Sequence, residues 1–227
     1  MRIGIIVAMS KEMAQLRQLL ADAKEETRGG RTFIVGSMGE KEIVMQQCGI
    51  GKVNSAIGAA EMIAAYHPDL IVSSGCAGGA DTSLEVGDVV VSSACTYHDV
   101  YCGAECRFGQ VLGMPERYAS DEALVAKAEA LSCGVSVRKG VIASGDWFVD
   151  SREKMHSILG NVPDAVAVDM ESCSIAQACH IYKVAFVSFR IISDVPLKDH
   201  KAAQYFDFWC RMAEGSFNVT RSFVEAI

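Results

Sequence analysis

Three carboxylates sit just after short apolar runs: Glu12 beyond residues 3–7, Glu171 beyond 165–168, and Asp194 beyond 184–192. In an open α/β sheet, ligands bind outside the carboxyl ends of the strands, so acids placed there are candidates for proton transfer. One carboxyl group protonating a leaving group while another activates water would cleave a bond to a planar, polar group. Arg190 shares the apolar run that ends in Asp194, and burying either charge is costly unless it is paired or used. Ser144-Gly145-Asp146-Trp147-Phe148 adds two adjacent aromatic rings, which suit core or lid as well as a stacking platform. Gly75-Cys76-Ala77-Gly78-Gly79 has almost no side chain and reads as a turn that lets a ligand approach main-chain N–H groups. It lacks the lysine of a phosphate-binding loop and the full dinucleotide spacing. Each feature has a plainer alternative. A first-turn glutamate suits the helix dipole, a glycine run suits a tight turn, and Arg190 and Asp194 suit an exposed strand end.

The elements that would position these residues alternate between strand and helix patterns. Residues 3–7 form a β-branched run fit for a buried strand. Ser10 is then placed to cap a helix whose apolar face is Met13, Leu16, Leu19 and Leu20. Residues 32–35 and 42–46 predict a strand pair, with 36–41 as the turn. Gly49-Ile50-Gly51 breaks the chain before a helix carrying Val53, Ile57, Ala60 and Ala64, which Pro68 closes. Strands are expected at 70–74, 86–91, 141–143, 165–168 and 184–192, and helices from Ser120, over 170–182, and from about Phe206. The stretch 101–118 has no period and reads as a long surface loop, a type that is usually functional. No repeat, linker or low-complexity segment interrupts the pattern. The expectation is one α/β domain over 1–227 with a mixed sheet, because hairpin signals sit among βα signals.

Composition narrows the function classes. The chain has 227 residues, half of them apolar, enough to bury a sizeable core. Its formal charge of −7 leaves no basic stripe for nucleic acid or an anionic membrane. No run approaches the roughly 18 apolar residues of a spanning helix, and residues 3–9 are too short for a secretory core. Nine cysteines, an odd number, do not read as a disulfide framework; most are expected to be small buried thiols in a reducing compartment, the cytoplasm. Cys102 and Cys106 lack the second close pair that a zinc set needs, so no metal or cofactor is expected.

The opening Met-Arg-Ile-Gly-Ile-Ile with Ala8, Met9 and Glu12, then Ser144-Gly145-Asp146 with Phe148, Val168-Asp169-Met170-Glu171 and Arg190-Ile191-Ile192-Ser193-Asp194-Val195, form an ordered set. Together they closely resemble the 5′-methylthioadenosine/S-adenosylhomocysteine nucleosidase branch of the nucleoside phosphorylase-like family. Gly49-Ile50-Gly51-Lys52-Val53, the glycine run at 75–79 and Tyr97-His98-Asp99 match as well, so the resemblance spans nearly the whole chain. It implies a three-layer αβα sandwich with a central mixed sheet, a homodimer, and hydrolysis of the N-glycosidic bond of 5′-thio-substituted adenosines. By position it makes Asp194 the general acid at adenine N7 and Glu12 the base for water. Glu171 would grip the ribose hydroxyls, Met170 would pack on the ribose, and Phe148 would stack on adenine. Backbone groups at Val149 and near Gly78 would touch the ligand. Met9, Ile50 and Phe206 would line the ribose and 5′-thio pocket, with Ser193 and Cys76 also in the site. Arg190 would help hold the water and Glu12.

The sequence departs from the family pattern at two site positions. Cys76 stands where serine is usual, and Trp147 where a small residue is usual. The loop after Asp99, with Tyr101, Cys102 and Cys106, is divergent and leaves the 5′-substituent preference open. Two other enzymes share the pattern. A purine nucleoside phosphorylase would need Arg or Lys placed for phosphate, whereas Glu12 stands where phosphate would be repelled. A futalosine or aminofutalosine hydrolase would use the same pocket motifs. A silent nucleoside-binding module would have no need of Glu12, Glu171 and Asp194 together.

Overall fold

The computed structural model describes residues 1–131, 134, 136–198, 208 and 218–227. Among the described residues, ten strands run in chain order as β1 (Arg2–Val7), β2 (Ala21–Arg28), β3 (Arg31–Met38), β4 (Lys41–Gln47), β5 (Leu70–Gly79), β6 (Val89–Tyr97), β7 (Tyr118–Ala119), β8 (Val137–Ser144), β9 (Ala165–Asp169) and β10 (Ala185–Asp194). Interleaved with them among the described residues are α1 (Ser10–Arg17), α2 (Lys52–Tyr66), α3 (Glu122–Glu129), α4 (Arg152–Asn161), α5 (Ser172–Tyr182) and α6 (Asn218–Ala226).

The strands form one mixed sheet in the order β10-β6-β8-β9-β5-β1-β4-β3-β2, with β7 pairing β6 off this path and β10 also pairing β5. That last pairing closes five strands into a ring. β5 runs parallel to β1 and β10. It meets β9 only at its tip, antiparallel, through Gly78↔Val168 and Gly79↔Ala167. Because β8 and β9 are parallel, this tip-to-tip pairing turns the carboxyl ends of β8 and β9 toward those of β1, β5 and β10.

Side chains alternate across the sheet, and both faces are covered. On β1, Ile3, Ile5 and Val7 join Leu16 of α1, Val125 of α3 and Phe223 of α6 in one apolar cluster. Ile6 points the other way, into a cluster with Met62 of α2 and Ile175 of α5. α4 sets Met155 and Ile158 against Ala143 and Val168. Burial on both sides explains why the parallel strands read as continuous apolar runs. The three-layer αβα arrangement with a central mixed sheet is the one the resemblance implies. No helix among the described residues is long and apolar enough to cross a membrane.

Several local expectations change. The glycine run 75–79 is not a turn but the second half of β5, paired residue by residue with β10 from Arg190↔Gly75 to Asp194↔Gly78. Val86 and Gly87 precede β6 rather than belong to it, and Gly87 has a positive φ. α1 starts from Met9, not Ser10, as its N-cap, and it ends before Leu19 and Leu20. α3 is capped by Asp121, whose carboxylate accepts the N–H groups of Ala123 and Leu124, while Ser120 is buried against Ser92. β2 and α4 are additions to the expected elements. β2 is an edge strand, ADAKEETR, without a buried alternating face to signal it. α4 is mostly polar, with a short buried stripe of Met155 and Ile158 behind a Ser151 cap. The expected loop 101–118 has no regular element up to 117, but Tyr118 belongs to the short strand β7 against β6. Phe206, from about which a C-terminal helix is expected, lies outside the described residues; Phe208 is helical, and α6 covers Asn218–Ala226.

Candidate active site

The converging strand ends enclose a cleft of about 680 Å³, including its open mouth. Its wall is supplied by five segments: Ala8, Met9 and Glu12 after β1; Cys76, Ala77 and Gly78 of β5; Trp147, Phe148 and Val149 after β8; Asp169, Met170 and Glu171 at the end of β9; and Ser193 and Asp194 of β10, with Ile50 completing it. Of the residues singled out from sequence, Met9, Glu12, Ile50, Cys76, Gly78, Phe148, Val149, Met170, Glu171, Ser193 and Asp194 therefore come together. Arg190 lies behind this wall rather than in it. Phe206 lies outside the described residues.

Glu12 is the third residue of α1, where a side chain can reach back to the open N–H groups of a helix start. Its Oε2 accepts the N–H of Met9 at 2.9 Å and of Ala8 at 3.0 Å, and Oε1 accepts the N–H of Cys76 at 3.2 Å. The carboxylate thus ties the β1–α1 corner to β5. Burial pushes its pKa up, and the three N–H donors and the charge of Arg190 counter this only in part. A carboxyl raised toward neutrality is suited to taking a proton from water. Gly75 makes room for it: a Cβ there would lie 2.8 Å from Glu12 Oε1 and 3.4 Å from Arg190 Nη1.

Glu171 is the N-cap residue of α5, yet its side chain does not cap that helix. Its Oε1 instead accepts the N–H of Gly51 at 2.9 Å, the residue that opens α2. Burial, and next the charge of Asp169, push its pKa up to about 7, against Arg190 and the Gly51 N–H; Glu12 adds a further rise. Asp194 ends β10 just past a bulge, where the register to β5 slips between Ile192 and Asp194. Such a bulge re-aims side chains. Ser193, the extra residue, donates its hydroxyl to Asp194 Oδ1 at 2.7 Å and to the carbonyl of Ala77 at 3.2 Å.

The mouth is apolar and aromatic. Phe148 is 57% exposed and Trp147 42%, and the Trp147 ring lies 5.4 Å from the buried ring of His98. The loop that carries them is fixed from two sides. Asp146 accepts the N–H of Lys52 at 2.8 Å, and Asp99 accepts both the N–H of Asp146 at 2.9 Å and the ammonium of Lys52 at 2.7 Å. Burial, then the charge of Glu12, hold the Cys76 thiol well above its ordinary range, so it lines the cleft as a neutral group.

Arg190 is 2% exposed. Its Nε donates to Asp169 Oδ2 at 2.6 Å and its Nη2 to Ser73 Oγ at 2.8 Å. Asp169 was not singled out from sequence, although a buried strand arginine requires an acidic partner and the strand-end acids were the place to look for it. Chemically, the cleft offers a buried acid beside the β5 backbone, a second held by the Gly51 N–H, a third at the bulge, and an aromatic edge for a flat ring.

A family model described as the phosphorylase superfamily matches residues 2–225. A 5′-methylthioadenosine/S-adenosylhomocysteine nucleosidase of Anoxybacillus flavithermus is 39% identical over 203 residues, 88% of each chain. Among solved structures, the nucleosidase of that name from S. pneumoniae, with the transition-state inhibitor MT-ImmA, superposes with a TM-score of 0.92 at 34% identity, covering 100% of this chain and 99% of that one. The enzyme from Colwellia psychrerythraea 34H, in complex with adenine, gives 0.91 at 36% identity, covering 100% and 95%.

Proposed function

The chain belongs to the phosphorylase superfamily, and on that premise we propose that it is a hydrolase cleaving the N-glycosidic bond of 5′-methylthioadenosine and S-adenosylhomocysteine, and of 5′-deoxyadenosine as well, to adenine and the 5′-substituted ribose. The observation that carries hydrolysis over phosphorolysis is the charge of the cleft: among the described residues lining it there are four carboxylates and no lysine or arginine. Phosphate would need such a cation; water does not.

In this reading Asp194 gives its proton to adenine N7 as the bond from N9 to the ribose C1′ breaks, and the bonding pair leaves with the base. Neutralising the leaving group in this way contributes about 10² to 10⁴ in rate. Glu12 takes a proton from water as its oxygen bonds to C1′. The ribose carries positive charge in between, which the anion of Glu171 and the soft sulfur of Met170 favour. Phe148 stacks on adenine, and backbone groups at Gly78 and Val149 position it. Met9 and Ile50 face the ribose and 5′ side, Ser193 holds Asp194, and Arg190 supports Glu12 from behind.

The same reading takes 1–227 as one domain that works as a homodimer. Ile50, Val53 and Ile57 leave an exposed apolar strip from the cleft mouth along α2, which supports a partner surface there. Cys48, Cys76, Cys95, Cys102, Cys106, Cys173 and Cys179 are free thiols, which supports a reducing compartment, the cytoplasm. Its place is the recovery of methionine from thioadenosine by-products. Adenine release from methylthioadenosine, adenosylhomocysteine and aminofutalosine, measured side by side, tests the substrate assignment. The first two are expected to be cleaved faster; preference for aminofutalosine would overturn it.

A further inference from the structure

Asp169 closes β9 beside Ser144 of β8, and its carboxylate accepts four hydrogen bonds. Oδ1 accepts the Ser144 hydroxyl at 2.5 Å. Oδ2 accepts Arg190 Nε at 2.6 Å, the Ser172 hydroxyl at 2.5 Å and the Ser172 N–H at 3.1 Å. The Ser172 hydroxyl is itself 2.7 Å from that of Ser188, two residues before Arg190 on β10. Both side chains of the ion pair are buried, at 2% and 1% exposure.

The guanidinium is a rigid planar fork. With Nε fixed by Asp169 and Nη2 by Ser73, the direction of Nη1 is no longer free. Nη1 donates to the carbonyl of Phe189 at 3.1 Å, and Arg190 is registered opposite Gly75 of β5. A Cβ on Gly75 would lie 3.4 Å from Nη1 and 2.8 Å from Glu12 Oε1, so both groups border the space this glycine leaves. The cation is thereby presented to Glu12 across a residue without a side chain.

We propose that Asp169 is a positioning residue for the hydrolysis: by clamping Nε of Arg190 it fixes the guanidinium beside Glu12, holding that carboxylate in place to receive the proton of the attacking water. This rests on the reading of Glu12 as the base. Asp169 touches no reacting atom in this role; it acts through Arg190.

The test is a cycle of Asp169→Asn, Arg190→Met and the double variant, with kcat and KM for methylthioadenosine, adenine affinity, and circular dichroism for folding. Asp169→Asn is expected to lower kcat by about 100-fold or more, as mispositioning of a catalytic partner does elsewhere, with KM and adenine affinity within about threefold. A purely structural role would lower the folded fraction without that split. The Asn change is expected to cost no more than about threefold further in the Arg190→Met background, because a residue acting through another is not additive with it. A folded Asp169→Asn with kcat within about threefold of the unaltered protein overturns the proposal, as does a full second loss in the double variant. If Asp169→Asn alone does not fold, the double variant removes both buried charges together, and its kcat against that of Arg190→Met decides between the same two outcomes. The unaltered protein is the control for the hydrolase reading. No adenine release by it would defeat that reading and this proposal together, whereas release left unchanged by the variants defeats only the proposal.

Discussion

Glu171 Oε1 accepts the backbone N–H of Gly51 at 2.9 Å, joining the N-terminal ends of α5 and α2 at the floor of the cleft. Gly51 has φ +94, and a Cβ there would lie 2.8 Å from Asp146 Oδ1. Glu171 and the aspartate that anchors the aromatic loop therefore both depend on one residue having no side chain.

Gly51→Ala is expected to lower unfolding free energy by about 1–3 kcal/mol, from the strained φ and the forced displacement of Asp146. Because Glu171 loses its fixed partner, kcat should fall as well. Urea denaturation and steady-state kinetics check both; a variant as stable and active as the parent would show that the Gly51 geometry is not required.

Glu171 gives a pH-dependent stability of defined sign. Its pKa is raised from 4.5 to about 7, mainly by burial and then by Asp169. The folded protein holds this proton more tightly than the unfolded chain, so the group's contribution is full below its unfolded value and is lost as pH rises through the folded one, by up to about 3 kcal/mol. Glu171→Gln keeps an acceptor for the Gly51 N–H and has no charge to bury. Its stability relative to the parent is expected to increase between about pH 5 and about pH 8. A difference that is flat, or of opposite sign, over that window would contradict the environment described for Glu171.

Glu12→Gln replaces a group that accepts three backbone N–H bonds with one that has a single acceptor oxygen. At least one N–H is left unpaired, at a cost of about 1–3 kcal/mol. Turnover should drop by about 10² to 10⁴ as the base is lost, with adenine still bound. Retention of turnover would remove Glu12 from its role.

Much of this site is legible in the sequence because its parts lie at strand ends, where apolar runs stop abruptly at Glu12, Glu171 and Asp194. The mixed sheet and the buried strands follow from the same runs. Position in three dimensions is less legible. The glycine run at 75–79 looks like a turn, because strand pairing to β10 is a long-range fact that small residues permit but do not announce. Asp169 does not stand out because its importance comes from the arginine it holds, 21 residues away. β2 escapes notice because an edge strand with polar residues on both faces has no period to read.

In the proposed reaction water, not phosphate, accepts the ribose, with Asp194 supplying the proton to the base. Adenine release from methylthioadenosine should be followed in phosphate-free buffer and with phosphate added, for the parent and for Asp194→Asn. The account predicts that the parent releases adenine at the same rate in both buffers, and that Asp194→Asn, though folded and able to bind a nucleoside inhibitor, releases none in either. Strict dependence on phosphate, or near-normal turnover by Asp194→Asn, would contradict it.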